Sequence, residues 1–370
     1  MKGLGYRSIF VLAAVIVGGC HRGGGGGGGG APPASPTAWE LGSGNHTPAS
    51  VAFTTVGLAG NGLAAPRDLA FNPLVPDELW VVNYTDSSAL IISNASTPGR
   101  TFLSRLDSHA NHFMPYPSAL AFGGSTTTFG IPGTFATSAE SNNGGNYFMG
   151  PTLWSSDLSV FAVQDPNGLG SHIDMLHCSP YAMGIAWQGA NVYWVFGGYM
   201  SDIVKYDFQI DHGIGNDDHS DGQKYHYVAG LVKRTVGVPS HLAYDSGTGL
   251  LYIADTGNSR IAVLDTNTGS ITSDHAGPDP VLIDKNVTGA TLTTLVSGLN
   301  KPCGLELHNG LLYVSEYGTG VISAYTLAGV KVNWLDTGVG ANRVMGLNFG
   351  PDGKLYFVDN PGNRVLRIDP

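Results

Sequence analysis

Hydrophobic positions in this chain alternate with polar ones over short runs, and glycine- and aspartate-rich turns separate the runs. In residues 249–265, GLLYIADTGNSRIAVLD, one apolar run from Leu250 to Ala254 and another from Ile261 to Leu264 flank a polar turn. Short alternating runs with turn signals between them are typical of β-strands. The pattern therefore predicts an antiparallel hairpin here, and little of the chain shows the spacing of an amphipathic helix.

The hairpin belongs to a unit that recurs six times along the chain. Each unit opens with an apolar first strand, which reads PRDLAF, PSALAF, AMGIAW, PSHLAY, PCGLEL and VMGLNF in turn. Second and third strands follow, as in LLYIAD and RIAVLD, and a fourth strand containing glycine precedes most first strands. Such repetition predicts a propeller, because units that cannot bury their own faces can pack side by side in a ring.

We therefore expect an all-β protein in which residues 50–370 form a six-bladed β-propeller of four-stranded antiparallel blades. The sixth unit lacks a fourth strand, whereas residues 51–58 supply an extra strand before the first unit. Pairing of that N-terminal strand with the last unit would complete the blade and remove exposed sheet edges. The alternative is a seven-bladed propeller with a further blade in 123–180 or 266–300.

The N-terminal segment has a different composition from the repeats. Residues 1–20 contain basic side chains and an apolar run too short for a stable membrane span, and they end in VGGC. This ending resembles the lipobox of bacterial lipoproteins, which implies cleavage of a signal peptide and lipid attachment at Cys20. An ordinary signal peptide is the alternative. Residues 21–49 are rich in glycine and proline and predict a flexible tether.

The lipobox resemblance carries an expectation about location. The residue after Cys20 is His21, not the aspartate that commonly retains lipoproteins at the inner membrane. We therefore expect an exported protein that is lipid-anchored to the cell envelope, at the outer membrane, and that faces the periplasm or the exterior.

The fourth unit, LYIADTGNSRIAVLD, and the sixth, LYFVDNPGNRVLRID, resemble NHL repeats, whose propellers commonly have six blades. The resemblance implies that Asp255 pairs with Arg260, and Asp359 with Arg364, across the hairpin turn. Glu316 occupies the equivalent acidic position without a matching arginine, so it is our candidate for a free carboxylate that contacts a ligand.

Composition and charge narrow the function. The formal net charge is -10, and no basic stripe is present, which argues against nucleic acid as a partner. After Cys20 only Cys178 and Cys303 remain, so the chain is not a disulfide scaffold, although one bridge stays open. The sequence contains no G-x-S-x-G, Walker or H-E-x-x-H motif, and no catalytic residue is predicted.

The strand order of a blade places the starts of first strands and the ends of second strands on one face of the ring, here called the first face. Imidazole, thiol and thioether side chains gather there, and they suit copper or zinc rather than magnesium or calcium. Ordinary core packing is the alternative. The candidate metal ligands are His109, His112, His177, Cys178, Met183, His241, Cys303 and Met345.

Two further sets complete the candidate residues. Arg67 stands where other units carry small or sulfur-containing side chains, so it could grip an anionic ligand. The candidate contacts for a small ligand are Arg67, Asp68, Tyr181 and Glu316. On the opposite face, the loop DHGIGNDDHSDGQ suggests calcium bound by Asp217, Asp218 and Asp221, with a solvated acidic loop as the alternative.

These features predict a binding or scaffold module for a small ligand, a metal ion or an envelope protein. The alternative is a metal-dependent lyase or hydrolase, because peptidyl-hydroxyglycine amidating lyase is another six-bladed propeller of this type. That resemblance implies zinc held by histidines directly after the proline of several first strands. This chain has Ser118, Ser240 and Cys303 there, with His241 displaced by one residue, so the zinc tripod is not reproduced. Whether the protein is an enzyme stays open.

Overall fold

The computed structural model of the protein describes residues 37–124, 133–143, 145, 148–277 and 281–370. These residues form six antiparallel blades arranged in a ring, which is a six-bladed β-propeller. The predicted fold class is confirmed, and the seven-bladed alternative is wrong. The predicted signal peptide and Cys20 lie outside the described residues.

The first three blades follow the predicted meander of four strands each. Blade one contains β2 (Pro66–Phe71), β3 (Glu78–Asn83), β4 (Ala89–Ser93) and β5 (Thr101–Arg105). Blade two contains β6 (Pro117–Phe122), β7 (Thr134–Ala139), β8 (Thr152–Ser155) and β9 (His172–Met175), and α1 (Ala110–Phe113) precedes it. Blade three contains β10 (Ile185–Gly189), β11 (Val192–Gly197), β12 (Asp202–Asp207) and β13 (Gln223–Tyr227).

The last three blades repeat this order, with one insertion and one strand from the N-terminal side. Blade four contains β14 (Leu242–Asp245), β15 (Leu250–Asp255), β16 (Arg260–Asp265) and β19 (Thr291–Ser297), with β17 (Ser270–Asp274) and β18 (Ile283–Thr288) inserted. Blade five contains β20 (Pro302–His308), β21 (Leu311–Glu316), β22 (Val321–Thr326) and β23 (Lys331–Asp336). Blade six contains β24 (Val344–Phe349), β25 (Leu355–Asp359), β26 (Arg364–Asp369) and β1 (Ala52–Leu58). Short 3-10 turns occur at Trp39–Leu41, Pro48–Ser50, Ala59–Asn61 and Thr256–Asn258.

The strand β1 lies at the outer edge of blade six. It pairs antiparallel with β26, in a register that runs from Ala52 opposite Asp369 to Leu58 opposite Arg364. One sheet therefore contains both the first and the last strand of the described chain.

The core consists of apolar layers between neighbouring blades, as strand alternation requires. Between blades one and two, the Trp80 ring packs 5.0 Å from Phe135 and 5.2 Å from Phe161, measured between ring centroids. Trp194, Phe196 and Leu251 form the corresponding layer between blades three and four. Large buried aromatic rings fill these wedge-shaped spaces, and the glycine-rich turns stay at the surface.

The predicted pairs across the hairpin turns are confirmed. Arg260 donates from Nε to Asp255 at 2.7 Å, and Arg364 donates from Nε to Asp359 at 2.9 Å. Asp359 is fully buried and also accepts two hydrogen bonds from Arg343, each of 2.8 Å.

An inserted hairpin distinguishes blade three from the others. Strands β17 and β18 belong to the sequence of blade four, yet β18 pairs parallel with β13 at the outer edge of blade three. The described strands of the segment 266–300, in which the alternative prediction placed a seventh blade, thus join the sheets of blades three and four.

Residues just before the first repeat also contact the propeller. Glu40 accepts a hydrogen bond of 2.6 Å from the Tyr313 hydroxyl, and the His46 ring stacks on Trp334 at 4.3 Å between centroids. These residues lie within the predicted tether, and here they pack on blade five. Among the described helices, none combines the length and apolar character needed to cross a membrane.

Candidate functional site

A cavity of about 260 Å³ lies on the axis of the ring, and all six blades contribute to its wall. The lining comes from the innermost strands and the residues directly before them, and it extends towards the strand ends on the face opposite the first face. Three aromatic side chains line it as well: Phe71, Phe122 and Trp187. A cavity with a few polar groups among apolar walls is the usual form of a small-ligand site.

The repeat explains which side chains reach the axis. Successive side chains of a strand point to opposite faces, so the third and fifth positions of the first-strand motif share the axial side. The third positions are Asp68, Ala119, Gly184, His241, Gly304 and Gly346. The fifth positions are Ala70, Ala121, Ala186, Ala243, Glu306 and Asn348.

Residues directly after the proline position behave differently from this axial set. A β-bulge interrupts the register at the start of four inner strands, for example between Pro66 and Asp68. The extra residue of a bulge changes the direction in which the neighbouring side chains point. These second-position residues are all buried, and none of them lines the cavity: Arg67, Ser118, Met183, Ser240, Cys303 and Met345.

Glycine at three of the third positions allows neighbouring blades to approach closely. A Cβ atom on Gly184 would lie 2.0 Å from the Ser240 carbonyl oxygen, and one on Gly304 would lie 2.4 Å from the Met345 carbonyl oxygen. The channel is therefore narrow at this level, and the two larger third-position side chains, Asp68 and His241, fill it.

Asp68 and His241 meet on the axis and form the floor of the cavity. The Asp68 Oδ1 atom lies 3.5 Å from His241 Nδ1, and both side chains are almost fully buried. The Asp68 carboxylate also accepts hydrogen bonds from the backbone N–H groups of Leu69 at 2.9 Å and Leu120 at 3.0 Å. Burial raises the pKa of Asp68, although His241 and these N–H groups oppose the shift.

Glu306 and Asn348 add polar groups to the cavity wall. Burial raises the pKa of Glu306 to about 8, a hydrogen bond from Asn348 opposes the rise, and the nearby charge of Asp68 adds to it. The Asn348 side-chain oxygen accepts a hydrogen bond of 3.1 Å from the N–H of Phe71. Glu306 is only half-buried because its carboxyl group faces the cavity, while protein surrounds it on the other sides.

An ionic cluster occupies the first face. Arg67 donates to Glu140 at 2.6 Å, and both side chains are buried. Glu140 also accepts hydrogen bonds from the N–H of Gly237 at 2.8 Å and from Arg234 at 3.3 Å. The Arg67 guanidinium lies 3.6 Å from the centroid of the Tyr84 ring. The Arg67 guanidinium, which was predicted to bind an anionic ligand, is therefore paired with the Glu140 carboxylate of the protein itself.

The other predicted small-ligand contacts also have protein partners. The guanidinium carbon of Arg234 lies over the Tyr181 ring, 4.1 Å from the ring centroid. Glu316 is buried and accepts a hydrogen bond of 2.7 Å from the backbone N–H of Asn300, so it is not a free carboxylate.

The structure distributes the predicted metal ligands over several places. The Phe148 ring contacts both His112, at 5.3 Å between ring centroids, and His177, at 4.2 Å. Cys178 and Cys303 are both buried and do not form a disulfide with each other. Among the described residues, one group of three His, Cys, Asp or Glu side chains has potential metal-ligand atoms within 4.8 Å of one another. Its members are Cys178, His275 and Asp284. Of the eight predicted ligands, only Cys178 belongs to that group.

Two of the three predicted calcium ligands have separate local partners. Asp221 Oδ1 lies 3.0 Å from His212 Nε2, and Asp218 accepts the N–H of Ser220 at 2.9 Å. Asp217 is exposed, and in the described part of the chain the three carboxylates do not gather within 4.8 Å.

Several site residues escaped the sequence analysis. Glu306 and Asn348 could have been found, since the other four units carry alanine at the same motif position. Glu140 directly follows a second strand, close to the acidic position that other units use. No repeat signal identifies His275 and Asp284, because they belong to the inserted hairpin.

Solved structures share this fold at low sequence identity. An auxiliary nutrient binding protein from Bacteroides thetaiotaomicron aligns at 12% identity and a TM-score of 0.55, over 85% of this chain and 75% of that one. An auxiliary nutrient binding protein from Bacteroides ovatus aligns at 14% identity and 0.51, over 86% and 76%. Regucalcin, a calcium-binding protein from Agrobacterium tumefaciens, aligns at 13% identity and 0.50, over 86% and 93%. At such identities the likeness establishes the fold alone. No family model matches the sequence, and no curated protein matches it.

Proposed function

We propose that the protein is a lipid-anchored binding module of the cell envelope whose axial cavity holds a small organic cation. One observation carries the ligand class. Two carboxyl groups, Asp68 and Glu306, share a cavity in which His241 is the one basic side chain among the described lining residues. A small ammonium ion would supply the positive charge that the second carboxylate lacks.

The electrostatic argument follows from the cost of burying charge. An ionised carboxylate inside a protein is unfavourable unless a counter-charge or several hydrogen bonds stabilise it. Glu306 avoids this cost because it stays protonated near neutral pH, since burial raises its pKa to about 8. A bound cation would stabilise the ionised form, so binding should release a proton from the cavity.

Size and lining restrict the ligand further. A cavity of about 260 Å³ lies below the usual range for drug-sized ligands, which favours a ligand of few atoms. Phe71, Phe122 and Trp187 line the cavity, and the faces of aromatic rings attract ammonium groups through their quadrupoles. Two proteins of the same fold are described as nutrient binding proteins, which is compatible with a binding role.

The lyase or hydrolase alternative lacks a comparable observation. His241 is the one histidine among the described residues that line the cavity, and its Nε2 lies 3.2 Å from the Ser118 carbonyl oxygen while Nδ1 faces Asp68. With both nitrogens against oxygen atoms, the imidazole cannot bind a metal without breaking a contact.

Calorimetric titration with tetramethylammonium tests the ligand class, with tert-butanol as a neutral compound of similar shape. We expect saturable binding of the cation, no saturation with the alcohol, and a binding enthalpy that depends on the buffer because a proton is released. Glu306→Gln should weaken binding about tenfold or more, the equivalent of one charge-assisted contact. Asp217→Asn, which alters an exposed carboxylate outside the cavity, is the matched control and should bind normally. Equal binding by Glu306→Gln or by the alcohol would refute the proposal.

The location is tested separately. We expect Cys20→Ser to abolish incorporation of labelled fatty acid and to move the protein out of the membrane fraction. Membrane association that persists in this variant would contradict lipid anchoring and leave the ligand proposal untouched.

A further inference from the structure

A cluster of potential metal ligands lies where the inserted hairpin meets the segment that connects blades two and three, away from the axial cavity. Cys178 follows β9, His275 follows β17, and Asp284 belongs to β18. The His275 Nδ1 atom lies 3.4 Å from Asp284 Oδ1, and the Cys178 Sγ atom lies 3.9 Å from Asp284 Oδ2. The thiol thus comes from a distant part of the chain, whereas the imidazole and the carboxylate both belong to the inserted hairpin.

We propose that Cys178, His275 and Asp284 bind a zinc-type transition metal that fixes the β17–β18 hairpin to the segment connecting blades two and three. Thiolate, imidazole and carboxylate are all zinc ligands, with bond lengths of about 2.0–2.3 Å. Tetrahedral geometry at those lengths separates the ligand atoms by about 3.3–3.8 Å. The 3.4 Å and 3.9 Å distances run to the two different oxygens of the Asp284 carboxylate, and one ligand atom from each of the three residues lies within 4.8 Å of the other two. Small side-chain rotations would complete the site.

The backbone around the cluster is shaped to hold the ligands. Cys178 has a φ of 89°, a conformation that costs energy for any residue other than glycine and that is often retained at functional sites. A Cβ atom on Gly277 would lie 2.5 Å from both Cys178 Sγ and an Asp284 carboxylate oxygen. A side chain at position 277 would therefore displace two of the proposed ligand atoms.

The hairpin needs a source of stability other than apolar burial. All five residues of β17 are exposed, and five of the six in β18 are half-buried or exposed. The strand joins β13 in parallel, a pairing that no tight turn can enforce. A metal that links Cys178 to Asp284, 106 residues apart, would supply that stability, because metal binding energy contributes directly to folding.

Two residues of β13 support the proposed ligands. His226 lies between two carboxylates, with Nδ1 2.9 Å from Asp202 and Nε2 3.2 Å from Asp284, and so orients the Asp284 side chain. The buried Lys224 ammonium donates to Cys178 Sγ at 3.1 Å and lies 3.3 Å from Asp284 Oδ2. It contacts two of the proposed ligand atoms, and a divalent cation would take over that role.

Cobalt titration of the full chain in detergent, after removal of metal with a chelator, tests this site. We expect one equivalent of Co²⁺ to bind with a thiolate-to-cobalt charge-transfer absorption, and Zn²⁺ to displace it. Cys178→Ser should remove the absorption, and His275→Gln should weaken cobalt binding at least about tenfold. Cys303→Ser removes the other buried thiol in the described chain and should leave the spectrum unchanged.

A second measurement guards against misfolded variants. Zn²⁺ should slow amide hydrogen exchange in residues 270–277 and 281–288 of the wild type and leave both segments unaffected in His275→Gln. Failure of the wild type to bind stoichiometric cobalt or zinc, or retention of the absorption by Cys178→Ser, would overturn the proposal. Because the cluster is separate from the axial cavity, neither result bears on ammonium binding.

Discussion

Asp68 Oδ1 lies 3.5 Å from His241 Nδ1, although the two residues come from blades one and four, which are opposite one another in the ring. Their side chains can meet across the axis because glycines at the same motif position in other blades let neighbouring blades approach closely. This contact converts an open channel into a cavity with a floor. It also joins two distant parts of the ring that share no sheet.

Removal of the Asp68 carboxylate should destabilise the protein strongly. In Asp68→Ala, His241 and the N–H groups of Leu69 and Leu120 lose an acceptor while they remain buried, so we expect a loss of about 3 kcal/mol or more in the free energy of unfolding. Urea denaturation measures this value. His241→Leu in the Asp68→Ala background should cost less than it does alone, with a coupling energy of about 1 kcal/mol or more. Strict additivity of the two changes would contradict a direct interaction across the axis.

Stability should fall as pH rises through the titration of Glu306. The unfolded carboxyl has a pKa of about 4.3, and burial raises the folded pKa to about 8. A group with a raised folded pKa contributes stability that is fully present below the unfolded pKa and is lost as pH rises through the folded one. Relative to wild type, Glu306→Gln should therefore gain at least about 1.4 kcal/mol between pH 5 and pH 9, the equivalent of one pKa unit.

Titration of Asp174 should also lower the stability as pH rises, since burial raises the pKa of Asp174 to about 7. The difference between wild type and Glu306→Gln at each pH isolates Glu306, because Asp174 is present in both proteins. Parallel stability curves for the two proteins would argue against a protonated Glu306 in the cavity.

Close approach of the blades should make Gly184 intolerant of a side chain. Gly184→Ala would place a methyl group 2.0 Å from the Ser240 carbonyl oxygen, so blades three and four must separate. We expect a loss of about 1–3 kcal/mol, or more, in the free energy of unfolding. Gly60→Ala provides the control, since a Cβ there meets no atom within 4 Å, and it should be nearly neutral. Equal effects in thermal denaturation would show that the blades do not pack tightly at this position.

The buried acid of blade six should contribute far more than an exposed acid in a similar pair. Asp359 is fully buried and binds Arg343 and Arg364, so Asp359→Ala should cost about 3–5 kcal/mol. The Asp274 side chain is 84% exposed in its pair with Lys285, and Asp274→Ala should cost no more than about 1 kcal/mol. Calorimetric unfolding of both variants compares them, and a small effect of Asp359→Ala would mean that the arginines are stabilised by solvent alone.

Local sequence determined the propeller and the blade-by-blade framework of this protein. Strand alternation, turn residues and a repeated motif act over a few residues, so six units and the Asp255–Arg260 pair could be predicted from the chain. The same motif contained an unused signal, because Glu306 and Asn348 replace an alanine that the other units share.

Tertiary structure alone decided which of these residues meet. Asp68 and His241 are separated by more than half the propeller sequence, and only closure of the ring with its actual bulges and glycines brings them to the axis. The parallel pairing of β18 with β13 is likewise a long-range event, and it assembles Cys178, His275 and Asp284 from segments with no shared period. Periodicity encodes what each strand buries, whereas contacts between strands from different blades depend on the packed geometry of the whole ring.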